Sequence, residues 1–520
     1  MGRALWLSAA TMTSRVLGLL RDQLFAALIG ANRWSDAFVV AFRIPNLLRD
    51  LFAEGALSSA FVPTFAEAQA KSGRESAYRL ANALLGVVLV LVGAIVLLGV
   101  ALAPALVRLL APGFGAEEAA FATLLTRIMM PFLLLVSLAA VAMGMLNAQS
   151  HFAAPALAPA LFNVGAIAVG VWLYASGKGP RAATIGWSAG TILGGTLQLG
   201  AQLPSLWALG FRFRPRLGAK ALAEPGIRRI GRLMGAAVIG LSATQVNILV
   251  NTIFASHEVG ANTWLQMAFR LMQLPLGVFG VAIATVAGAS VAQRAAAQDL
   301  DGVRETLGAA MRLVAFLNVP AAVGLMVLSR PIISLVYEHG RFGSGDAAAT
   351  AEALVCYAVG LYGYSAVKVF APAFYALDEA RIPVLGSLVG MASNVGLVLA
   401  LYPSLGFRGV ALGTSLAATA NFAVLAAAWK RRHGGLGPAG IYRQLARCGL
   451  AAGAMALALL AVARVLPPWL PARGLARQAT AALVPIAAGA LAYFAAARVL
   501  GIAELGEVRA ALGRRRRPRA

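Results

Sequence analysis

Charge is scarce in this chain of 520 residues: 12% of it is Asp, Glu, Lys or Arg, and the 20 acids are outnumbered by 44 Lys and Arg. A soluble protein of this length has too much surface to cover with so few charges, which excludes an ordinary soluble fold. Cysteine is almost absent. Cys356 and Cys448 lie far apart in apolar segments, so no disulfide framework is expected. The four histidines, His151, His257, His339 and His433, have no metal-ligand spacing, and no metal is expected. No Ser-His-Asp set, HExxH or cysteine cluster is present, so no catalytic residue is assigned and the chain does not read as an enzyme. GTILGG at 190–195 lacks the Gly-Lys-Ser/Thr ending of a phosphate loop, which removes the ATPase signature. The alternating ten-residue segments of a membrane β-barrel are missing too. A cleaved signal peptide is not expected, because Arg15 and Arg21 interrupt the first apolar run and no small-residue cleavage site follows.

What the chain has in abundance is apolar sequence: 60% hydrophobic residues and a mean hydropathy of +0.78. Repeated runs of about 20 apolar residues read as transmembrane helices. Fourteen are expected, among them about 4–30, 35–66, 80–111 and 383–402, separated by Gly and Pro clusters such as APGFG at 111–115 and HGRFGSG at 339–345. The expected fold is therefore an all-α integral membrane protein, since lipid requires backbone groups to be satisfied within each span. The net charge of +24 sits in short blocks between apolar runs and not in one aromatic-laced stripe, which argues against nucleic acid. Alternate connections hold Lys71, Arg74 and Arg79, then Arg212, Arg214, Arg216, Lys220, Arg228 and Arg229, then Lys430, Arg431 and Arg432, ending with RRRRPR at 514–519. The positive-inside rule places these connections and both termini in the cytoplasm, where the tail also attracts anionic lipid.

Two stretches recur at similar offsets. AFR at 41–43 returns at 268–270, and FNVG at 162–165 has a counterpart in SNVG at 393–396. This repeat predicts two like-oriented six-helix lobes around a central cavity, residues 1–220 and 221–440, with two further helices and a basic tail in 441–520. Such halves are an architecture of transporters.

The first two helices carry Arg15, Arg21, Asp22, Asp36, Arg43, Arg49, Asp50 and Glu54. A charged side chain at mid-bilayer costs roughly 2.5–3.5 kcal/mol on insertion scales, so these groups should face the interior or water. Residues seven apart share a helix face, which stacks Arg15 over Asp22 and aligns Asp36, Arg43 and Asp50. Either these residues neutralise one another or they line a cavity. Pro45 and Gly55 bracket the stripe and predict a bend or break. Arg270 is the main charge of the corresponding second-half helices and has no carboxylate near it in sequence. Converging arginines would make a cationic cavity suited to a phosphate-bearing anion. Arg127, Lys368, Asn163 and Asn394 either line the same cavity or hydrogen-bond neighbouring helices.

Taken together, SRVLGLLRDQLFAALIGA at 14–31, SDAFVVAFRIPNLLRDLFAEGALSSAFVP at 35–63, NTIFAS at 251–256, FRLMQLPLGVFGVAIAT at 269–285 and the weaker VKVFAPAFYA at 367–376 resemble the MurJ/MviN family of lipid II flippases. The resemblance covers most of the chain. It implies a multidrug/oligosaccharidyl-lipid/polysaccharide exporter fold, with a lipid-tail groove on the last two helices. It also implies alternating-access movement of undecaprenyl-pyrophosphate-linked disaccharide-pentapeptide from the cytoplasmic to the outer leaflet of the bacterial inner membrane, for peptidoglycan synthesis. The implied partners are lipid II, membrane lipids and the cell-wall synthesis machinery. The family's functional arginines map onto Arg15, Arg21, Arg49 and Arg270, its helix 2 aspartate onto Asp36, and its Arg-Asp pair onto Arg21 and Asp22. Phe269 and Gln273 stand where relatives often carry acids. Asn247 and Asn394 stand near positions where some relatives hold sodium through carboxylates, so sodium coupling is left open. No cofactor is expected, and energy would come from an ion gradient or the membrane potential.

The nearest rival is a flippase for another polyprenyl-linked glycan, such as an O-antigen or capsule unit. A cationic cavity disfavours export of cationic drugs. A glycosyltransferase or polymerase would need catalytic carboxylates on an outer loop, where this chain has only Glu117, Glu118, Glu258, Glu338 and Asp346.

Overall fold

The computed structural model describes residues 2–50, 56–436, 441–466 and 474–506. Glu54 and the basic tail at 514–519 lie outside the described residues. The described residues are helical throughout, without strands. The chain divides into two compact units, Met1–Thr263 with His339–Gly343, and Trp264–Glu338 with Ser344–Ala520.

The first unit contains α1 (Gly2–Ile29), α2 (Arg33–Arg49), α3 (Ala56–Ala101), α4 (Ala103–Leu110), α5 (Ala116–Met129), α6 (Pro131–Ala148), α7 (Ala153–Ala175), α8 (Pro180–Gly200), the short α9 (Leu203–Ala208) and α10 (Ala219–Leu222), and α11 (Pro225–Ala255). It runs past position 220, the lobe boundary read from the repeat, because α11 packs along α3. The expected second helix, 35–66, is seen as α2 to Arg49, with Pro45 inside it, and as the start of α3 from Ala56; 51–55 lie outside the described residues. α3 is itself interrupted at Gly73, whose φ of 78° only glycine adopts readily. The α1–α2 turn is built from sequence. Gly30 takes a φ of 80°. Asn32 caps α2 by accepting from the Trp34 and Ser35 N–H groups at 2.9 and 3.3 Å, and its own N–H donates to Ser35 Oγ at 2.8 Å.

The second unit holds α12 (Ala261–Pro275) from Trp264 onward, a π-helical turn at Leu276–Val281, α13 (Ala282–Ala296), α14 (Leu300–Val327), α15 (Ser329–Tyr337), α16 (Ser344–Ala358), α17 (Leu361–Ala376), α18 (Arg381–Leu405), α19 (Phe407–His433), α20 (Ile441–Val465) and α21 (Leu475–Val499). Among the described residues, nine helices are long and apolar enough to cross a membrane, or ten if the bent pair α16–α17 counts as one span. The chain is a multi-pass membrane protein. Fourteen spans are compatible with this helix order, with α1, α2, α8 and α11 as the less apolar ones.

Lipid supplies little hydrophobic drive between helices, so close approach and polar contacts hold them together. In the first unit, α7 crosses α8 through facing glycines: a Cβ on Gly165 would fall 2.7 Å from Gly194 Cα. In the second, α18 and α19 form the corresponding pair, with Gly386 and Gly390 against Asn421. One helix of each pair, α7 and α18, bears a copy of the NVG repeat. Phe370, Phe374 and Trp429 pack the α17–α19 contact edge to face. Tyr493 of α21 donates to the Phe316 carbonyl at 2.7 Å. After α21, buried Glu504 accepts from Arg312 Nε at 3.1 Å and from Gln444, tying the last described residues to α14 and α20.

The α17–α18 connection is clamped to the end of α19. Glu379 Oε1 accepts from Arg432 at 3.1 Å, and its Oε2 lies 3.0 Å from His433 Nε2. Burial pushes the Glu379 carboxyl upward, but the bonds to His433 and Arg432 outweigh it and hold the group below the usual carboxylate range. A group with a depressed folded pKa stabilises at neutral pH and loses that contribution as pH falls through its folded value. Wild type should therefore melt above Glu379→Gln at neutral pH, and the gap should close as the pH falls through the lowered folded value of Glu379; a gap independent of pH would refute the clamp. Gly165→Leu should cost about 1–3 kcal/mol or more by forcing α7 from α8. In thermal unfolding it should fall well below Gly93→Leu, where a Cβ meets nothing within 4 Å.

Candidate functional site

The charged block of α1 and α2 lies in the first unit, and its arginines are held in different ways. Arg21 is largely buried. Its Nε and Nη2 donate to Asp22 Oδ1 at 3.2 and 3.0 Å, and its guanidinium carbon stands 5.6 Å from the Phe162 ring centre. Asp22 thus engages one edge of the guanidinium while the aromatic face supports it, a cation–π contact that strengthens when water is excluded. Arg49 repeats the arrangement with Asp50, at 3.3 and 3.0 Å. Arg15 is exposed. Arg43 donates from Nη1 to the Ile248 carbonyl of α11 at 3.3 Å.

Asp36 has a different environment. It is 1% exposed, and three donors fill its carboxylate. The Gly260 N–H reaches Oδ2 at 2.5 Å, and the Thr263 N–H and hydroxyl reach Oδ1 at 2.9 and 2.7 Å. Thr263 Oγ1 also lies 3.0 Å from Ser35 Oγ. The expected stripe of Asp36, Arg43 and Asp50 therefore does not close on itself. Asp36 turns to the backbone of the 256–263 connection, and Asp50 pairs with Arg49. In this conformation a carboxylate so enclosed positions α2 and is not open to a head group. Neither Thr263 nor Gly260 is flagged by sequence, since a backbone N–H leaves no compositional trace.

Asn163 is buried in α7 and donates to the Ser14 carbonyl of α1 and the Pro159 carbonyl, both at 3.2 Å. Of its two readings, helix-to-helix hydrogen bonding is the one the geometry shows. Its contact with α1 sits one residue from Arg15, so it sets that arginine's height. Arg127 is exposed and donates to the Val100 carbonyl at 3.3 Å.

In the second unit Arg270 is half-buried on α12, six residues before the π-helical turn at Leu276. Such turns recur at functional sites. The neighbouring Phe269 packs edge-on against Tyr357 and Tyr364, with centroids 5.2 and 6.4 Å away. Gln273 is exposed. Lys368 is exposed on α17, and Asn394 is fully buried on α18. Among the described residues, no three His, Cys, Asp or Glu side chains gather as metal ligands. What this set can do chemically is present oriented guanidinium groups, which match the oxygens of phosphate or carboxylate.

A family model described as lipid II flippase MurJ matches residues 25–478. The probable lipid II flippase MurJ of Vibrio cholerae is 34% identical over 512 residues, covering 95% of each chain. That of Rhizobium meliloti is 35% identical over 517 residues, 97% of this chain and 95% of the relative. A solved lipid II flippase MurJ in an inward closed conformation superposes with a TM-score of 0.79 at 26% identity, over 95% of this chain and 98% of that one. An inward-facing multidrug resistance MATE family transporter of the MOP superfamily gives 0.68 at 17% identity, over 83% and 98%, and shares the fold alone.

Removing the Asp36 carboxylate strands buried donors, each costing about 1–3 kcal/mol. Asp36→Ala should lower the unfolding temperature far more than Asp50→Ala, whose partner Arg49 retains access to water. Equal losses in a side-by-side thermal unfolding series would refute the positioning role.

Proposed function

The chain belongs to the lipid II flippase MurJ family, and on that premise we propose that it moves lipid II across the bacterial inner membrane by alternating access, delivering peptidoglycan precursor from the cytoplasmic to the outer leaflet. The family membership, over almost the whole chain, is the observation that carries this reading. The arginines of the membrane helices supply the chemistry. Guanidinium groups of Arg15, Arg21, Arg49 and Arg270 recognise the pyrophosphate-linked head group through charge-assisted, bidentate hydrogen bonds. Asp22 and Asp50 hold Arg21 and Arg49 in a fixed orientation before substrate arrives, which limits the entropy lost on binding. The polyprenyl tail stays in lipid throughout, and no covalent step is needed. Both termini lie in the cytoplasm in this reading, in line with the basic connections. An ion gradient or the membrane potential drives the cycle, with no cofactor.

Reconstitution into liposomes tests the reading. Lipid II should become accessible in the opposite leaflet, whereas another polyprenyl-linked glycan should not; equal movement of both would overturn the substrate assignment. Arg270→Glu should abolish transport while inserting normally, and Arg21→Lys, which loses the bidentate edge, should slow it about tenfold or more. Normal lipid II movement by Arg270→Glu would overturn the site. Repeating the assay with and without an imposed sodium gradient and potential identifies the driving force.

A further inference from the structure

The connection from α8 to α11 carries a surface that transport does not use. Residues 211–217 have no regular secondary structure, yet they are fastened to α3. Asn82 donates from Nδ2 to the Arg212 carbonyl at 3.1 Å, its Oδ1 accepts from the Arg214 N–H at 2.8 Å, and its main-chain carbonyl accepts from the Arg216 N–H at 3.1 Å. Bonds at every second residue mark an extended chain. Tyr78 donates to the Leu209 carbonyl at 2.8 Å and packs edge-on against buried Phe211. A Cβ on Gly86 would overlap the Arg216 carbonyl, so only glycine lets the segment lie flush. Tyr78, Asn82 and Gly86 are four residues apart and form one stripe of α3.

This fastening fixes what the segment shows to its surroundings. Trp207, Phe213, Leu217 and Leu222 are 52%, 51%, 57% and 57% exposed. Between them stand Arg214 and Lys220, exposed and with side chains that have no partner among the described residues. The depth is set by α3: from Ala83 to Val107 the chain has no polar or charged side chain, so Asn82 is the last polar residue before the hydrocarbon. Large apolar side chains at that level bury at the boundary of head groups and acyl chains, and neighbouring cations reach lipid phosphates.

We propose that residues 207–222 form a rigid interfacial ledge that binds the head groups of anionic phospholipids. A water-soluble partner would have to cover four apolar side chains at a depth where lipid already does so. The ledge does not depend on which lipid-linked substrate is carried.

A nitroxide on Phe213→Cys, with Cys356 and Cys448 replaced by alanine, tests this in the full-length protein. The vesicles are phosphatidylcholine with or without phosphatidylglycerol. With phosphatidylglycerol the label should be reached by oxygen and shielded from a water-soluble nickel chelate. Phosphatidylglycerol retained by the detergent-purified protein, read by native mass spectrometry, should fall on raising ionic strength and in Arg214→Gln with Lys220→Gln. About fivefold is expected for each cation removed. A label open to the chelate in the vesicles overturns the interfacial placement, and phosphatidylglycerol retention that ignores salt and the double substitution overturns the head-group site. Lipid II movement measured in the same vesicles reports separately on transport.

Discussion

A guanidinium group placed in a membrane helix has to be satisfied by something, and that requirement shapes the first two helices of this protein. Transferring an unpaired arginine to mid-bilayer costs roughly 2.5–3.5 kcal/mol on insertion scales. The chain meets the demand with the carboxylate of the following residue for Arg21 and Arg49, an aromatic face for Arg21 and a backbone carbonyl for Arg43. An adjacent aspartate both offsets the charge and fixes the plane of the guanidinium. In the proposed function, a cation so oriented recognises a phosphate without first having to be ordered, which would account for charge in a chain otherwise so apolar.

Asp36 shows the same requirement with the opposite sign. Its oxygens are filled by two backbone N–H groups and one hydroxyl, all from residues more than two hundred positions away. In the proposed function the charged block thus separates into recognition and positioning. Arg21 and Arg49 keep their side chains partly exposed, whereas Asp36 is enclosed and holds α2 against the 256–263 connection.

The sequence made much of this legible, for physical reasons. Long apolar runs have few alternatives in lipid, so α1 and α18 begin and end close to the expected 4–30 and 383–402. The pairing of Arg21 with Asp22 was implied by the family resemblance, whereas helix periodicity had stacked Arg15 over Asp22. The bend or break expected between Pro45 and Gly55 falls largely on 51–55, outside the described residues, whereas Pro45 itself sits within α2. Long-range backbone bonds were invisible: Asp36 looked available to Arg43, and nothing in composition shows that Thr263 and Gly260 claim it. The basic run at 212–220 was legible only as a topology signal. Its clamp depends on a single asparagine and a glycine more than a hundred residues earlier, at a spacing that becomes a surface only once α3 is helical.

The central claim is that oriented arginines of the first unit recognise the anionic group of a lipid-linked substrate. Native mass spectrometry of the purified protein with lipid II tests it most directly, comparing wild type with Arg21→Ala and Arg49→Ala at matched thermal stability. The account predicts that each substitution weakens lipid II binding by about tenfold or more, as expected for a lost charge-assisted hydrogen bond. Unchanged lipid II binding in both variants would contradict it.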